Sequence, residues 1–312
     1  ENIYIFWIDQ LSKSLWSQVF QINILEYADN YILPKGNISK LTNSIEGNFD
    51  GCFCLTNKST LIGLIEINKN DYLYSVNIKE RNQDLKILKK FNNFAGDLSS
   101  NSSDNLLSWI EWDTPYMPWE KNDLFFAEID VYGQLKKIKK FLHKNINKNK
   151  NVSFFQPYWI SEKILVCSED SSGWWNLIFL DVSEIESIFI TKRIERNFIE
   201  YGAPQWVSGI TYFAGTIKNF FCIAKKGNSL IVEQYKDLVF DNEFSTLFTS
   251  VSDFNVFGNN LLLKGKGFDF LGNILEIDFA EKVSSNFSEE FYVEHIKDCS
   301  KPESFWFKGF ED

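Results

Sequence analysis

The sequence predicts an all-β fold, a β-propeller of six or seven four-stranded blades, and three observations carry that prediction. Thirty Phe, twelve Tyr and ten Trp stand against six Pro and one Met, a composition that favours strands. The apolar patterning alternates or runs in short blocks, and no stretch of roughly ten residues follows a helical period. Trp109, Trp159 and Trp206 recur 50 and 47 residues apart, close to the span of about 40–50 residues over which a propeller builds one blade. With 312 residues, 44% of them hydrophobic, the chain can bury a large core and reads as a single propeller domain over residues 1–312.

The elements follow in order. IYIFWI and SQVFQINIL form a hairpin, and a turn-rich stretch covers 29–47. GCFCLTN, TLIGLIEI and DYLYSVNI are three further strands. Lys86–Asp104 is rich in Asn and Ser and reads as a surface connection. LLSWIEW and DLFFAEI are strands separated by a long loop holding Pro115 and Pro118. Lys136–Lys150 holds seven lysines and reads as a solvated loop between blades. Ser153–Leu180 is the clearest unit: Ser153–Trp159 leads in, Lys163–Ser168 is a strand, Glu169–Gly173 turns, and Trp174–Leu180 runs out as the next strand. SIFITKRI follows, and Pro204-Gln205-Trp206 echoes Pro157-Tyr158-Trp159 as the opening of a blade. FFCIAKK with SLIVEQY, and NNLLLKGKGF with GNILEIDF, are hairpins, and FYVEHIKDCSKPESFWFKGFED holds a last strand.

Charge and composition exclude several functions. A net charge of −10 argues against a general nucleic-acid role, since phosphate contacts need basic surface; Lys136–Lys150 is the one local exception. No apolar window is long enough for a membrane-spanning helix, and no membrane partner is expected. ENIYIFWIDQ is no signal peptide, and a start without Met marks the chain as a piece of something longer. Cys52, Cys54, Cys167, Cys222 and Cys299 are odd in number and read as free thiols of a reducing compartment, the cytoplasm. His143 and His295 are the only histidines, so no metal site and no cofactor are expected.

The blade type narrows further. WD40 blades each need a His, and kelch blades carry paired Gly; this chain has neither pattern. Three ordered motifs over residues 106–215 are more specific: Trp109, Trp112, Asp113, Pro115, Met117, Pro118 and Trp119; then Phe155, Gln156, Pro157, Trp159, Gly173, Trp174, Trp175, Asn176 and Leu177; then Gly202, Pro204, Gln205, Trp206 and Val207. In this wording the chain resembles the N-terminal propeller of prolyl-oligopeptidase-family serine peptidases, of the acylaminoacyl-peptidase or dipeptidyl-peptidase-like branch. Lys301-Pro302-Glu303-Ser304-Phe305 sits where such propellers hand over to the next domain.

The resemblance implies a seven-bladed propeller that caps a C-terminal α/β-hydrolase domain of the same polypeptide, filters short peptides by size and helps bind them. The chain departs from that family where chemistry is concerned. It holds no G-x-S-x-G nucleophile elbow, and neither His follows one, so no residue here is assigned a catalytic role. Of the family's H-E-Y-G-G segment only Glu46 could remain, as an anchor for a substrate amino terminus. Trp112, Asp113 and Trp119, on the long loop, are candidates for a substrate or domain-interface contact, because loops carry function more often than strands. Trp174 and Trp175 are candidates too, since neighbours on a strand face opposite ways and both need not pack in the core. The pairs Glu111/Asp113 and Glu169/Asp170 raise a propeller glycosidase as an outside option, but they stand at strand ends as turn residues do. A stand-alone TolB-like scaffold for proteins or peptides is the alternative to the peptidase reading.

Overall fold

A computed structural model of the chain describes residues 2–23, 31–56, 59–103, 105–130, 132–142, 151–206, 208–227, 229–246, 248–257, 260–267, 273–278 and 283–286, with Ser300, Glu303, Phe305, Phe307 and Lys308. Every regular element among them is a β-strand, and the strands form six four-stranded antiparallel sheets, the blades of a six-bladed propeller. Blade 1 holds β1 (Asn2–Asp9), β2 (Ser14–Asn23), β3 (Tyr31–Pro34) and β4 (Ser39–Lys40), with β3 and β4 both on β2. Blade 2 holds β5 (Asn48–Thr56), β6 (Thr60–Ile67), β7 (Asn70–Asn77) and β8 (Lys86–Lys90); blade 3 holds β9 (Phe94–Ser100), β10 (Leu106–Trp112), β11 (Asp123–Ile129) and β12 (Leu135–Lys140). Blade 4 holds β13 (Phe154–Trp159), β14 (Ile164–Glu169), β15 (Asn176–Asp181) and β16 (Phe189–Ile194). Blade 5 holds β17 (Phe213–Gly215), β18 (Phe220–Lys226), β19 (Ser229–Lys236) and β20 (Val239–Ser245); blade 6 holds β21 (Ser250–Phe257), β22 (Asn260–Lys266), β23 (Asn273–Asp278) and β24 (Val283–Asn286).

The chain divides into two compact units, one of Glu1–Met117 with Asn122–Phe141 and one of Pro118–Lys121 with Leu142–Asp312. In the first unit, Leu15, Leu41, Leu61, Ile65 and Tyr74 form one core, and Leu64, Leu73, Phe91, Leu107 and Trp109 another. Trp109 is fully buried, stacked on Phe125 at 5.9 Å and meeting Phe91 edge-on at 6.3 Å, while its Nε1 donates to Glu111 Oε1 at 2.7 Å. In the second unit a larger core runs through blades 4, 5 and 6 around Phe179, Phe213, Phe220, Phe221 and Phe254. In blades 4 and 5, strands β14, β15 and β18 are buried on both faces over most of their length, which is why they read as continuous apolar runs.

Polar side chains staple neighbouring blades where the first strands bulge. Gln156, at φ +52° in the bulge of β13, donates from Nε2 to Phe213 O at 2.7 Å and accepts from Tyr212 N at 2.6 Å. Thr211 Oγ1 donates to Phe254 O at 3.2 Å and accepts from Phe254 N at 2.8 Å, tying blade 5 to blade 6. In the first unit Asp71 Oδ2 accepts from Ala95 N at 3.0 Å. Buried backbone groups need partners, and a bulge leaves some without ladder mates; these side chains supply them. The wording of F-Q-P-Y-W therefore has a structural cause in Gln156.

Several sequence expectations change. Lys86–Asp104 is not one connection: β8 and β9 lie in it, with Ala95 and Leu98 of β9 buried. The start of the Lys-rich stretch is the outer strand β12, where Lys136, Lys137 and Lys140 pair with Asp130, Glu128 and Asp123; residues 143–150 lie outside those described. The three Trp landmarks are not equivalent: Trp109 is on the second strand of its blade, Trp159 on the first, and Trp206 in the connection before β17. Most of 291–312, where a last strand was expected, falls outside the described residues, His295, Cys299 and most of Lys301–Phe305 included, as do Val207 and His143.

Gly215 closes the turn from β17 to β18 at φ +125°, and a Cβ there would stand 2.2 Å from Asn219 O. Gly215→Ala is expected to cost about 2–3 kcal/mol, since the obstacle is backbone and the conformation is one that L side chains avoid. A denaturant midpoint within error of the parent's would show that the turn relaxes freely.

Candidate functional site

In an antiparallel blade the turn between the second and third strands and the exit from the fourth lie at the same end. In blade 4 these are the β14–β15 turn, residues 170–175, and the β16–β17 connection, residues 195–212. Trp174 and Trp175 sit in that turn and not on β15, which starts at Asn176, so the opposite-faces expectation does not apply. Trp175 turns inward, edge-on to Phe155 at 5.9 Å, and Gly202 lacks a Cβ where Trp175 and Phe155 press closest. Trp174 meets Phe198 at 5.1 Å. Phe198 is 58% exposed and holds φ +66°, an uncommon conformation for an aromatic residue. Glu200 Oε2 accepts from Trp175 N at 2.6 Å, and Tyr201 N donates to Trp175 O at 2.8 Å. Further along, Trp206, 72% exposed, packs on Trp119 with ring centroids 4.3 Å apart. The Trp119 segment is fixed by Ser153 Oγ, which donates to Pro118 O at 2.5 Å.

Two buried carboxylates hold this connection. Glu233 on β19 accepts from Arg196 Nη1 at 2.7 Å, Tyr201 Oη at 3.0 Å and Tyr235 Oη at 2.6 Å. Burial pushes the Tyr201 and Tyr235 hydroxyls and the nearby Cys222 thiol well above their usual ranges, so all stay protonated. Glu169, fully buried on β14, accepts from Arg193 Nη1 at 2.5 Å and from Ser171 N and Oγ, both at 2.8 Å. Arg193 and Arg196 thus flank the start of the connection, each anchored inward.

In the first unit Trp112 stacks on Phe94 at 5.6 Å, and Asn93 Nδ2 donates to Asp113 Oδ1, joining the β8–β9 connection to the β10–β11 loop. Tyr116 N closes a turn onto Asp113 O at 3.0 Å. Glu46 is exposed in the bend before β5. Of the six residues singled out from sequence, Trp174 and Trp175 lie in the β14–β15 turn, Trp112 ends β10, Asp113 and Trp119 lie in the β10–β11 loop, and Glu46 precedes β5. The carboxylate pairs have structural partners: Glu111 binds Lys89 at 3.2 Å as well as Trp109, and Asp170 accepts from Ser153 N at 2.8 Å. Among the described residues no group of three or more His, Cys, Asp or Glu could hold a metal ion, and no helix is long and apolar enough to cross a membrane. Sequence reading did not single out Phe198 or Glu200; the only signal was an aromatic and an acid inside a polar connection.

No protein-family model and no curated protein matches this sequence. Solved structures do match. A puromycin hydrolase superposes with TM-score 0.77 at 15% identity, over 99% of this chain and 47% of its own. The fold is that of the N-terminal propeller of prolyl-oligopeptidase-family peptidases. Prolyl oligopeptidase B from Galerina marginata, solved with a 35mer hydrolysis and macrocyclization substrate, gives TM-score 0.63 at 14% identity over 93% of this chain and 41% of its own. TolB from Acinetobacter baumannii matches more loosely, at TM-score 0.52 and 10% identity, over 91% of this chain and 63% of its own. This propeller therefore spans less than half the length of the peptidases it resembles. The described strands form six blades, not the seven that the family resemblance implied.

Glu200 also makes a pH prediction. Burial pushes its carboxyl above the usual glutamate value of 4.5, against the opposing pull of the Trp175 N–H and Lys225. A carboxyl raised in the fold costs nothing while protonated in both states, and its cost grows as pH climbs through the unfolded and then the folded value. Glu200→Gln is thus expected to match the parent at about pH 3.5 and to exceed it in stability near pH 7. Thermal unfolding across that range checks the sign; a variant less stable at pH 7 than at low pH, relative to the parent, contradicts it.

Proposed function

We propose that this chain is the non-catalytic propeller of a prolyl-oligopeptidase-like serine peptidase, of the acylaminoacyl- or dipeptidyl-peptidase-like branch, which gates and helps bind short peptides for a C-terminal α/β-hydrolase domain. The observation that carries the reading is the match of 99% of this chain to 47% of a puromycin hydrolase, which leaves room in such a protein for a second domain. Trp119, Trp206, Trp174 and Phe198 suit an interface: they are apolar, wholly or partly exposed, and paired ring against ring. The buried thiols Cys54, Cys167 and Cys222 suit a reducing compartment, and we place the protein in the cytoplasm.

The test is the coding sequence that follows Asp312. A G-x-S-x-G elbow in a strand–turn–helix context within about 200 residues supports the reading. A stop codon there overturns it and leaves the alternative, a TolB-like propeller that binds proteins or peptides as a scaffold. The 312 residues alone should turn over no peptide nitroanilide; turnover abolished by a serine-reactive inhibitor would contradict the non-catalytic assignment.

A further inference from the structure

Asp71, the second residue of β7, holds the connection between blades 2 and 3 at both of its ends. Its backbone carbonyl accepts from Phe91 N at 2.9 Å, and its carboxylate Oδ2 accepts from Ala95 N at 3.0 Å. Phe91 and Ala95 are buried, while Asn92, Asn93 and Phe94 between them are exposed. Two of those exposed residues reach the start of the long β10–β11 loop. Asn93 Nδ2 donates to Asp113 Oδ1, and the Phe94 ring stacks on Trp112 at 5.6 Å. Gly96, just beyond, lacks a Cβ where the Trp112 ring comes within 3.3 Å of that position. Asp71 is thus the inner anchor of a short segment whose outer side holds Trp112 and Asp113.

The charges around this anchor oppose it. Glu66 stands directly opposite Asp71 in the β6–β7 ladder, and Asp50 of β5 adds a third carboxylate nearby. Like charges directly opposite on a sheet repel. The lysines of the adjoining elements are engaged elsewhere or exposed: Lys89 of β8 binds Glu111 at 3.2 Å, Lys90 of β8 lies 5.9 Å over the Tyr72 ring, and Lys69 is exposed in the β6–β7 turn. On β9 and at the end of β10 the charged residues are Asp97, Glu111 and Asp113, all acidic. Among the described residues no Lys or Arg pairs with Asp71 or Glu66. Burial, with Glu66 and Asp50, pushes the Asp71 carboxyl above the usual aspartate range, against the pull of the Ala95 N–H. The ionised carboxylate is therefore less favourable in the closed segment than after release into water, where burial and repulsion are both relieved. The closed arrangement is favoured while Asp71 is protonated and loses ground as pH rises through the range in which the closed-state carboxyl ionises.

We propose that Asp71 is a pH-sensitive latch: protonated, it holds the β8–β9 connection closed and with it the Trp112–Asp113 start of the long loop; ionised, it lets both loosen. The latch lies within the first unit and needs no hydrolase domain, so its failure and the failure of the peptidase reading are separate outcomes.

Hydrogen exchange on the whole chain, corrected for the intrinsic pH dependence of amide exchange, tests the latch between about pH 4 and pH 7. Opening at the Phe91 and Ala95 amides is expected to rise about threefold or more over that range, relative to amides at the centres of β6 and β7. The indole N–H resonance of Trp112, identified by its loss in Trp112→Phe, should shift over the same range. Asp71→Asn keeps an oxygen for Ala95 N and removes the charge; it should hold the low-pH protection up to pH 7 and leave the Trp112 signal unmoved. Glu66→Gln leaves Asp71 and both of its bonds in place and removes the opposing charge; it should shrink the rise. Relative opening that does not change with pH in the parent overturns the latch. So does a pH response that persists in full in Asp71→Asn. Should that variant fail to fold, a rise in Glu66→Gln equal to the parent's overturns it.

Discussion

Glu233→Ala is expected to lower stability by about 3–5 kcal/mol, because removing one partner of a buried polar cluster strands the others. Arg196 is partly exposed and can turn to solvent. Tyr201 and Tyr235 cannot: both are buried, and both hydroxyls lose their acceptor. The cost is thus mostly two orphaned hydroxyls plus a cavity, and Glu233→Gln, which keeps an acceptor, should lose markedly less. Urea midpoints at constant slope measure it. A second readout follows from position. Arg196 and Tyr201 are the feet of the connection that carries Phe198 and Glu200, so the Trp174 environment should change with them. A loss under about 1 kcal/mol would mean that the connection is held by something other than this cluster.

Trp109→Ala should cost about 3–5 kcal/mol as well, for a different reason. Its ring is fully buried between Phe91 and Phe125, and its N–H is satisfied by Glu111. Truncation leaves a large cavity in a core of few residues, and Glu111 loses a donor while keeping Lys89. Trp206→Ala is the matched comparison: the same residue type, 72% exposed, is expected to stay within about 0.5 kcal/mol of the parent. Equal losses at the two positions would contradict the placement of both.

The strands that sequence reading found most clearly are those buried on both sides. LLSWIEW, ILVCSE, NLIFLD and FFCIAKK are inner pairs of their sheets, where burial on two faces demands continuous apolar runs. The strands it missed are mostly outermost. In β8, β12 and β20 the second edge meets water, so Lys86, Lys89, Lys136, Lys139 and Asn242 are tolerated and even useful against edge pairing. The first strand β9 was missed for another cause: it carries polar residues, with Asp97 at φ +51° near its bulge, so its alternation is broken.

The candidate site was legible only as single residues. Trp119 stood out because it lies on a long loop, and Trp174 and Trp175 because they were read as strand neighbours facing opposite ways. Their partners did not: Glu200 lies 25 residues from Trp175, and nothing local to either announces the bond. Trp206 was read as a repeat marker, when its ring is a loop residue resting on Trp119.

What the sequence alone determined is the class of fold, since that depends on local alternation and short apolar runs, and solved structures share this fold at 15% identity. Tertiary structure decided the blade number, the role of Gln156 as a staple and the pairing of Glu169 and Glu233 with two arginines. Those depend on which distant strands become neighbours, and a hydrogen bond or an ion pair is set by separation in space, on which spacing along the chain is silent.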